Sequence, residues 1–407
     1  MSLVDGKPQS HHWGWAASLC DSWRGARRPS LALLILAAVV AAASLPSRAF
    51  ASSLPGLVYT NSRDASVPWS IHVVQLERAN PLYQIQSIHA RGKAIGLDTL
   101  SDQLGLLDPA ARTAVAAING DFYQRDKAYE GAPRGLQIES GELLSGPSGG
   151  ASFWIDALGE PHADQVESRF QITWPDGSKT AFGLNGERRD DGVELYTPAV
   201  ERSTHTTGGR ELVLVPVETG PWLPLHIGRT YKARVREVRE RGDTPLAPDI
   251  MLVSLGPKAL HDRLPSIQTG DILQISTASQ PALHGIVTAI SGGPVLVHGG
   301  RRNRLDVPDS QSYEVTSMLE RHPRAAIGWN EKYFFLVEVD GRQKALSVGM
   351  TLDELAKFLT KLGCENAMNF DGGGSATLWY DGQVRNSPCD RAEREIANCL
   401  AIVKKNR

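Results

Sequence analysis

Asp371 stands directly before Gly372-Gly373-Gly374 and Ser375, and Thr377 follows two residues later. Three successive glycines cost roughly 0.5–1 kcal/mol each relative to alanine in an ordered element. Such a run makes sense where the backbone must approach a ligand closely and offer N–H groups to an anion. Asp371 would project into the same space and the two hydroxyls would add donors, a set that suits a phosphate-bearing substrate. A tight structural turn with an incidental carboxylate is the plainer alternative. No lysine follows the glycines, so the run is not a P-loop, and the Gly-x-Ser-x-Gly pattern of a nucleophile elbow is absent.

Three further clusters could do chemistry. Arg324, in His322-Pro323-Arg324, precedes an apolar run, where a guanidinium could clamp a phosphate through two parallel bonds or simply face solvent. His322 could act as a base or be structural. Asn119 and Asp121 end the apolar run 114–118, so Asp121 and Asp371, on different strand ends, could flank a scissile glycosidic bond. Gly292-Gly293-Pro294 reads as a sharp turn that shapes a pocket through its backbone.

The elements that must carry these residues are short strands. Residues 70–76 alternate as a half-buried strand, whereas the small-apolar run 114–118 predicts a strand buried on both faces. Strands are expected at 170–174, 211–217 and 231–239, the first followed by a Pro175-Asp176-Gly177 turn. Arg234, Arg236, Arg239, Glu237 and Glu240 read as a solvated strand face. Residues 333–339 predict another strand. Thr351 with Glu354 then forms a capping box, Leu352, Leu355, Ala356, Leu359 and Leu362 make one apolar stripe, and Gly363 ends the helix. A strand at 367–370 leads into the glycine run, and Asp381-Gly382 turns a hairpin between 378–380 and 383–384.

The 407 residues, 41% hydrophobic and 22% charged, fit a globular protein. A net charge of -2 gives no reason to expect nucleic acid or an anionic membrane as partner. Residues 1–51 read as a cleaved export signal: Arg24, Arg27 and Arg28, then an apolar run over 31–45, then Ala49-Phe50-Ala51. The apolar run, about 15 residues, falls short of a bilayer span, so no stable membrane span is expected after cleavage, and the mature chain is expected in the periplasm or outside the cell. A retained anchor is the alternative. Of the cysteines beyond the signal, a Cys389–Cys399 disulfide is one reading and three small buried hydrophobes, Cys364 included, the other.

The four clusters occur in the order of a known family. Ala117-Ile118-Asn119-Gly120-Asp121-Phe122-Tyr123, Ile290-Ser291-Gly292-Gly293-Pro294, His322-Pro323-Arg324-Ala325-Ala326-Ile327-Gly328 and Asn369-Phe370-Asp371-Gly372-Gly373-Gly374-Ser375-Ala376-Thr377 resemble the motifs of the phosphodiester glycosidases, over roughly 110–403. The resemblance implies an α+β fold with a strand-rich mixed-sheet core, a few flanking helices and a C-terminal catalytic domain. The expected divisions are 1–51 signal, 52–165 N-terminal strands, 166–285 an inserted strand-rich subdomain and 286–407 the C-terminal α/β part. It further implies hydrolysis of a sugar-1-phosphodiester, on a phosphosugar or polysaccharide of the envelope or exterior. By position, Asp371, Asp121 and Arg324 become catalytic candidates. Asn119, Gly292, Gly293, Gly372, Gly373, Gly374, Ser375, Thr377 and Arg394 become substrate-binding ones. In this scheme Arg324 and the glycine backbone orient phosphate, Asn119 holds a sugar hydroxyl, and Asp371 is base or oxocarbenium stabiliser. Asn119, Arg324, Asp371 and Ser375 must then line one pocket. A phosphodiesterase with a divalent cation on Asp121 and Asp371, and a polysaccharide-binding envelope protein without catalysis, remain the rivals.

Overall fold

The computed structural model describes residues 54–110, 113–125, 128–262, 265–305 and 317–405. The expected export signal lies outside them. Strands hold 43% of the described residues and helices 10%, so packing is decided by sheets. The described residues form four. A seven-stranded sheet runs in the order Leu57–Asp64, Trp69–Glu77, Tyr333–Val339, Arg324–Trp329, Asn366–Asn369, Val295–His298 and Arg301–Arg302. A five-stranded sheet places Ala114–Asn119 between Leu378–Tyr380 and Asn398–Lys404, with Gln383–Val384 and Tyr83–His89 outside. A second five-stranded sheet is centred on Thr288–Ser291. An eight-stranded sheet draws all its strands from the stretch between Glu167 and Gln280.

These sheets are antiparallel almost throughout, contrary to the mixed core expected. The parallel pairing is the short contact of Gly183–Leu184 with Val193–Tyr196. Some of these pairs are hairpins, such as Leu57–Asp64 with Trp69–Glu77, but many join strands distant in sequence, such as Trp69–Glu77 with Tyr333–Val339.

The middle strands of the seven-stranded sheet are buried on both faces. Ala325, Ile327, Trp329, Leu336, Met368 and Phe370 pack against Ile118, Leu378, Tyr380 and Leu400 of the five-stranded sheet. On the opposite face Ala326, Val337, Val339 and Ala367 pack under the helix Leu352–Leu362, through Leu352, Leu355, Ala356 and Leu359. That helix starts at Thr351 with both bonds of the capping box and ends at Gly363 in a left-handed conformation, φ 94°. Ala114–Asn119 is likewise central and covered on both sides, which is why its run is apolar without alternation. The hairpin turn is built from Asp381 and Gly382, both at positive φ.

The cysteines correct one reading. Cys364, Cys389 and Cys399 are all free. Cys399 sits inside the strand Asn398–Lys404, between Asn119 on one neighbour and Ile88 on the other, where its side chain joins a hydrophobic cluster. Cys364 packs under the helix. Burial pushes the Cys364 thiol up to about 12 and raises that of Cys399 strongly. Both behave as small hydrophobes, while Cys389 is half-exposed beside Asp390.

Candidate active site

Two central strands, from different sheets, deliver the acidic residues to one place. Ala114–Asn119 ends before Asp121, and Asn366–Asn369 ends before Asp371. The Asp371 N–H donates to the Gly120 carbonyl at 2.9 Å. Asn119 clasps the two ends: its Nδ2 donates to the Asp371 carbonyl at 2.7 Å, and its Oδ1 accepts the Thr377 N–H at 3.1 Å. Asn119 is buried at 1% exposure with its amide committed to backbone. It therefore fixes the loop and does not hold a sugar hydroxyl, as had been expected.

Asp121 is buried, its Oδ1 accepting the Phe122 N–H at 2.8 Å and its Oδ2 the Gly135 N–H at 2.9 Å. Burial pushes its carboxyl up to about 7; the charge of Asp371 adds to the rise, and the two N–H groups hold it back. Asp371 is partly exposed, and its Oδ1 accepts the Gly372 N–H at 2.8 Å. Desolvation raises its pKa too, against the lowering effects of Ser375, Gly372, Arg394 and Arg125. The two carboxyls are thus electrostatically coupled, and Asp371 is the one that meets solvent.

The three glycines have separate reasons. A Cβ on Gly372 would strike the Pro323 carbonyl. Gly373 has φ +60° and lies against the Arg342 guanidinium, and a Cβ on Gly374 would overlap the Arg394–Asp390 pair. In that pair Arg394 Nη2 is 2.6 Å from Asp390 Oδ2. Ser375 and Thr377 are buried, and their hydroxyls have no aligned hydrogen-bond partner. Ser375 Oγ nevertheless lies close enough to Asp371 and Tyr123 to lower the pKa of both. Gly292 and Gly293 sit one strand away: a Cβ on Gly292 would meet the Asn369 carbonyl and the Phe370 ring, and the Gly293 N–H donates to that carbonyl at 2.8 Å. They meet the end of Asn366–Asn369 through backbone.

Arg324 is the clear correction. It alternates with Ala325 along its strand and so shares the face of Ala326, under the helix. It is 5% exposed, and its guanidinium donates to the carbonyls of Met350 at 2.7 Å, Ser317 at 2.6 Å and Glu320 at 2.9 Å. Those bonds make it a structural clamp rather than a phosphate ligand. Asn119, Asp371 and Ser375 come together; Arg324 does not join them.

Other cations take that place. Arg394 and Arg125 both act on Asp371, and Arg125 also lies over the Tyr123 ring, 5.8 Å from its centroid. Arg342, held at φ 59°, faces Gly373, and its Nε donates to His322 Nδ1 at 3.3 Å. His322 Nε2 is 3.2 Å from Glu320, and its pKa is lowered first by burial and then by Arg342 and Arg324. Arg342, Arg125, Tyr123 and Asp390 were not singled out from sequence. Only the Asp340-Gly341-Arg342 turn after a strong strand could have pointed to Arg342. Cavities of about 390 and 350 Å³ lie elsewhere, along residues 237–244 and between Ala151 and Met318. Among the described residues, no group of three metal-ligating side chains includes Asp121 or Asp371.

Comparison with known proteins follows the same residues. Residues 239–403 match the family model for phosphodiester glycosidases. The N-acetylglucosamine-1-phosphodiester alpha-N-acetylglucosaminidase of Bos taurus is 28% identical over 135 residues, 32% of this chain and 24% of that protein. Its Homo sapiens counterpart is 28% identical over 130 residues, 32% of this chain and 25% of that protein. The chain thus spans about a quarter of the length of these relatives. A solved structure of a hypothetical protein from Synechocystis shares the fold, with a TM-score of 0.68 at 20% identity over 87% of this chain and 64% of that one.

Proposed function

We propose that this chain, whose residues 239–403 are of the phosphodiester glycosidase family, hydrolyses a sugar-1-phosphodiester at the anomeric C–O bond of an envelope or extracellular glycoconjugate. The observation that carries the reading is Asp371: a partly exposed carboxylate at a strand end, coupled to the buried Asp121 and acted on by Arg394 and Arg125 beside the triple-glycine turn.

The departing group is a phosphomonoester, already stable as an anion at neutral pH, so strong general-acid help is less needed than for an ordinary glycoside. What the site must supply is charge: cations for the phosphate and an anion for the positive charge that develops on the sugar ring. Arg394 and Arg342 take the phosphate, in place of Arg324. Asp371 stabilises the oxocarbenium character and accepts a proton from the attacking water. Water oxygen joins the anomeric carbon as the C–O bond breaks, and the electron pair leaves with the phosphate. Asp121 tunes Asp371 from behind.

Asp371→Asn tests the assignment on nitrophenyl-phospho-sugars. Turnover should fall by about 10²–10⁴ with the melting temperature nearly unchanged. Near-normal kcat would sink the role of Asp371. Hydrolysis in ¹⁸O water should label the sugar; label on phosphate would instead mean P–O cleavage and overturn the glycosidase reading.

A further inference from the structure

Behind the glycine turn, three side chains with metal-ligand chemistry face one another. His72 and Glu338 are directly opposed across the ladder of Trp69–Glu77 and Tyr333–Val339, so their side chains leave the same face. Asp340 follows where the second strand ends. All three are buried, at 5%, 0% and 1% exposure. One ligand atom from each lies within 4.8 Å of the others, and His72 Nε2 is 3.1 Å from Asp340 Oδ2.

The other polar atom of each residue is already held. The Tyr59 hydroxyl is 2.8 Å from His72 Nδ1, the Ser387 N–H donates to Asp340 Oδ1 at 2.7 Å, and Asn386 Nδ2 donates to Glu338 Oε1 at 3.1 Å. Glu338 Oε2, wholly buried, has no hydrogen-bond partner. Buried carboxylate oxygens are paired in native structures unless something else supplies the positive end. Outer partners on every ligand, with the inner atoms converging, is how a metal site is oriented.

We propose that His72 Nε2, Asp340 Oδ2 and Glu338 Oε2 bind one divalent cation of the zinc class. One imidazole nitrogen with two carboxylate oxygens suits zinc, whereas calcium takes six to eight oxygens. Tetrahedral bonds of ~2.0–2.1 Å set ligand atoms about 3.3 Å apart, close to the His72–Asp340 spacing. In the ion-bound form His72 carries its proton on Nδ1 and donates it to Tyr59. The Ser70 hydroxyl, 3.2 Å from Nε2, stands beside the ligands as a further oxygen, and the Asn61 amide at 3.2 Å must swing aside.

All three ligands are buried, which suits a structural role for the ion. Asp340 lies two residues before Arg342, and Asn386-Ser387 lead into the segment that carries Asp390 and Arg394. A cation here ties together both loops that present guanidinia to the glycine turn.

The test uses the full purified chain, stripped with chelator and titrated separately with zinc, manganese and calcium chloride. Calorimetry and melting curves are the readouts. One zinc per chain at micromolar affinity or tighter, with a raised melting temperature, is expected. Glu338→Gln, which keeps shape and the bond from Asn386, should abolish binding while folding normally. Tyr59→Phe should weaken it about tenfold, and Asp371→Asn should leave it unchanged. No zinc binding tighter than about 0.1 mM would overturn the proposal, as would zinc binding undiminished in Glu338→Gln, or preference for calcium. None of these readouts is turnover, so the outcome stands apart from the glycosidase reading.

Discussion

Replacing Asp121 by asparagine separates its electrostatic role from its shape. In the folded chain its carboxyl is pushed up to about 7, chiefly by burial; in the unfolded chain it titrates near the ordinary ~3.9. Between those values the folded state keeps a proton that the unfolded state has lost. The folded state binds more protons there, so stability falls as pH rises through about 4 to 7 and levels off above. Linkage with these two values gives a loss of ~1.5 kcal/mol by pH 5 and ~4 kcal/mol by pH 9. Asparagine carries no such penalty. Its Oδ1 can accept one of the N–H groups of Phe122 and Gly135, but its NH₂ opposes the other, a pH-independent cost of ~1–3 kcal/mol. Wild type should therefore match or exceed the variant at pH 5, and the variant should be the more stable at pH 9. The constant cost cancels in the comparison, which leaves a swing of ~2–3 kcal/mol. Urea unfolding of both proteins at pH 5, 7 and 9, followed by tryptophan fluorescence, measures it. A difference between the proteins that stays flat within about 0.5 kcal/mol across that range would refute the buried, elevated carboxyl.

Arg324→Ala should cost roughly 2–4 kcal/mol of stability, because it strips donors from the carbonyls of Met350, Ser317 and Glu320, while the folded fraction keeps its KM. Arg342→Ala and Arg394→Ala should do the reverse, raising KM about 10- to 100-fold with little change in melting temperature; equal KM values in all three variants would count against the new assignment. Gly374→Ala should displace the Arg394–Asp390 pair and cut kcat/KM at least tenfold in a folded protein, and full activity would show that the pair is not needed. Thr351→Ala should lose the bond from the Glu354 N–H to the Thr351 hydroxyl at the start of the helix Leu352–Leu362, and about 1 kcal/mol in urea unfolding, without touching kinetics.

The legible parts of this fold were those set by local rules. Thr351 with Glu354, the leucine stripe, Gly363 and the Asp381-Gly382 turn each satisfy backbone groups within a few residues of themselves, so the sequence alone carries them. The runs 114–118 and 333–339 were readable because a strand covered on both faces needs continuous apolar side chains. The glycine run reads as room for a ligand's close approach, and the close neighbours that each glycine has are Pro323, Arg342 and the Arg394–Asp390 pair of the chain itself. Arg324 and Asn119 were misassigned for a shared reason. A polar side chain at a strand end can serve a ligand or satisfy backbone, and the choice depends on which carbonyls the fold brings near. For Arg324 these belong to Met350, Ser317 and Glu320, none adjacent in sequence. Arg342 was missed for the complementary reason: the loop that aims it at Gly373 is set by long-range contacts, including Gly341 against Pro323.

Charge at the glycine turn then argues for the kind of ligand. Arg394 pairs with Asp390 at 2.6 Å and still acts on Asp371 together with Arg125, while Arg342 lies against Gly373. Asp121 contributes no charge below about 7. Arg394, Arg125 and Arg342 set against Asp390 and Asp371 sum to one positive charge, which under the proposed function complements the single charge of a phosphodiester. Above that pH Asp121 ionises, the excess cation is cancelled, and the ionised pair of carboxylates repels the same ligand. Under the proposed function KM should therefore rise on the alkaline side of about 7 while the Asp121→Asn variant holds its KM to higher pH, with kcat less affected. A wild-type KM independent of pH between 6 and 9, measured on a nitrophenyl-phospho-sugar whose phosphodiester stays singly charged throughout, would mean that Asp121 does not govern the charge the substrate meets.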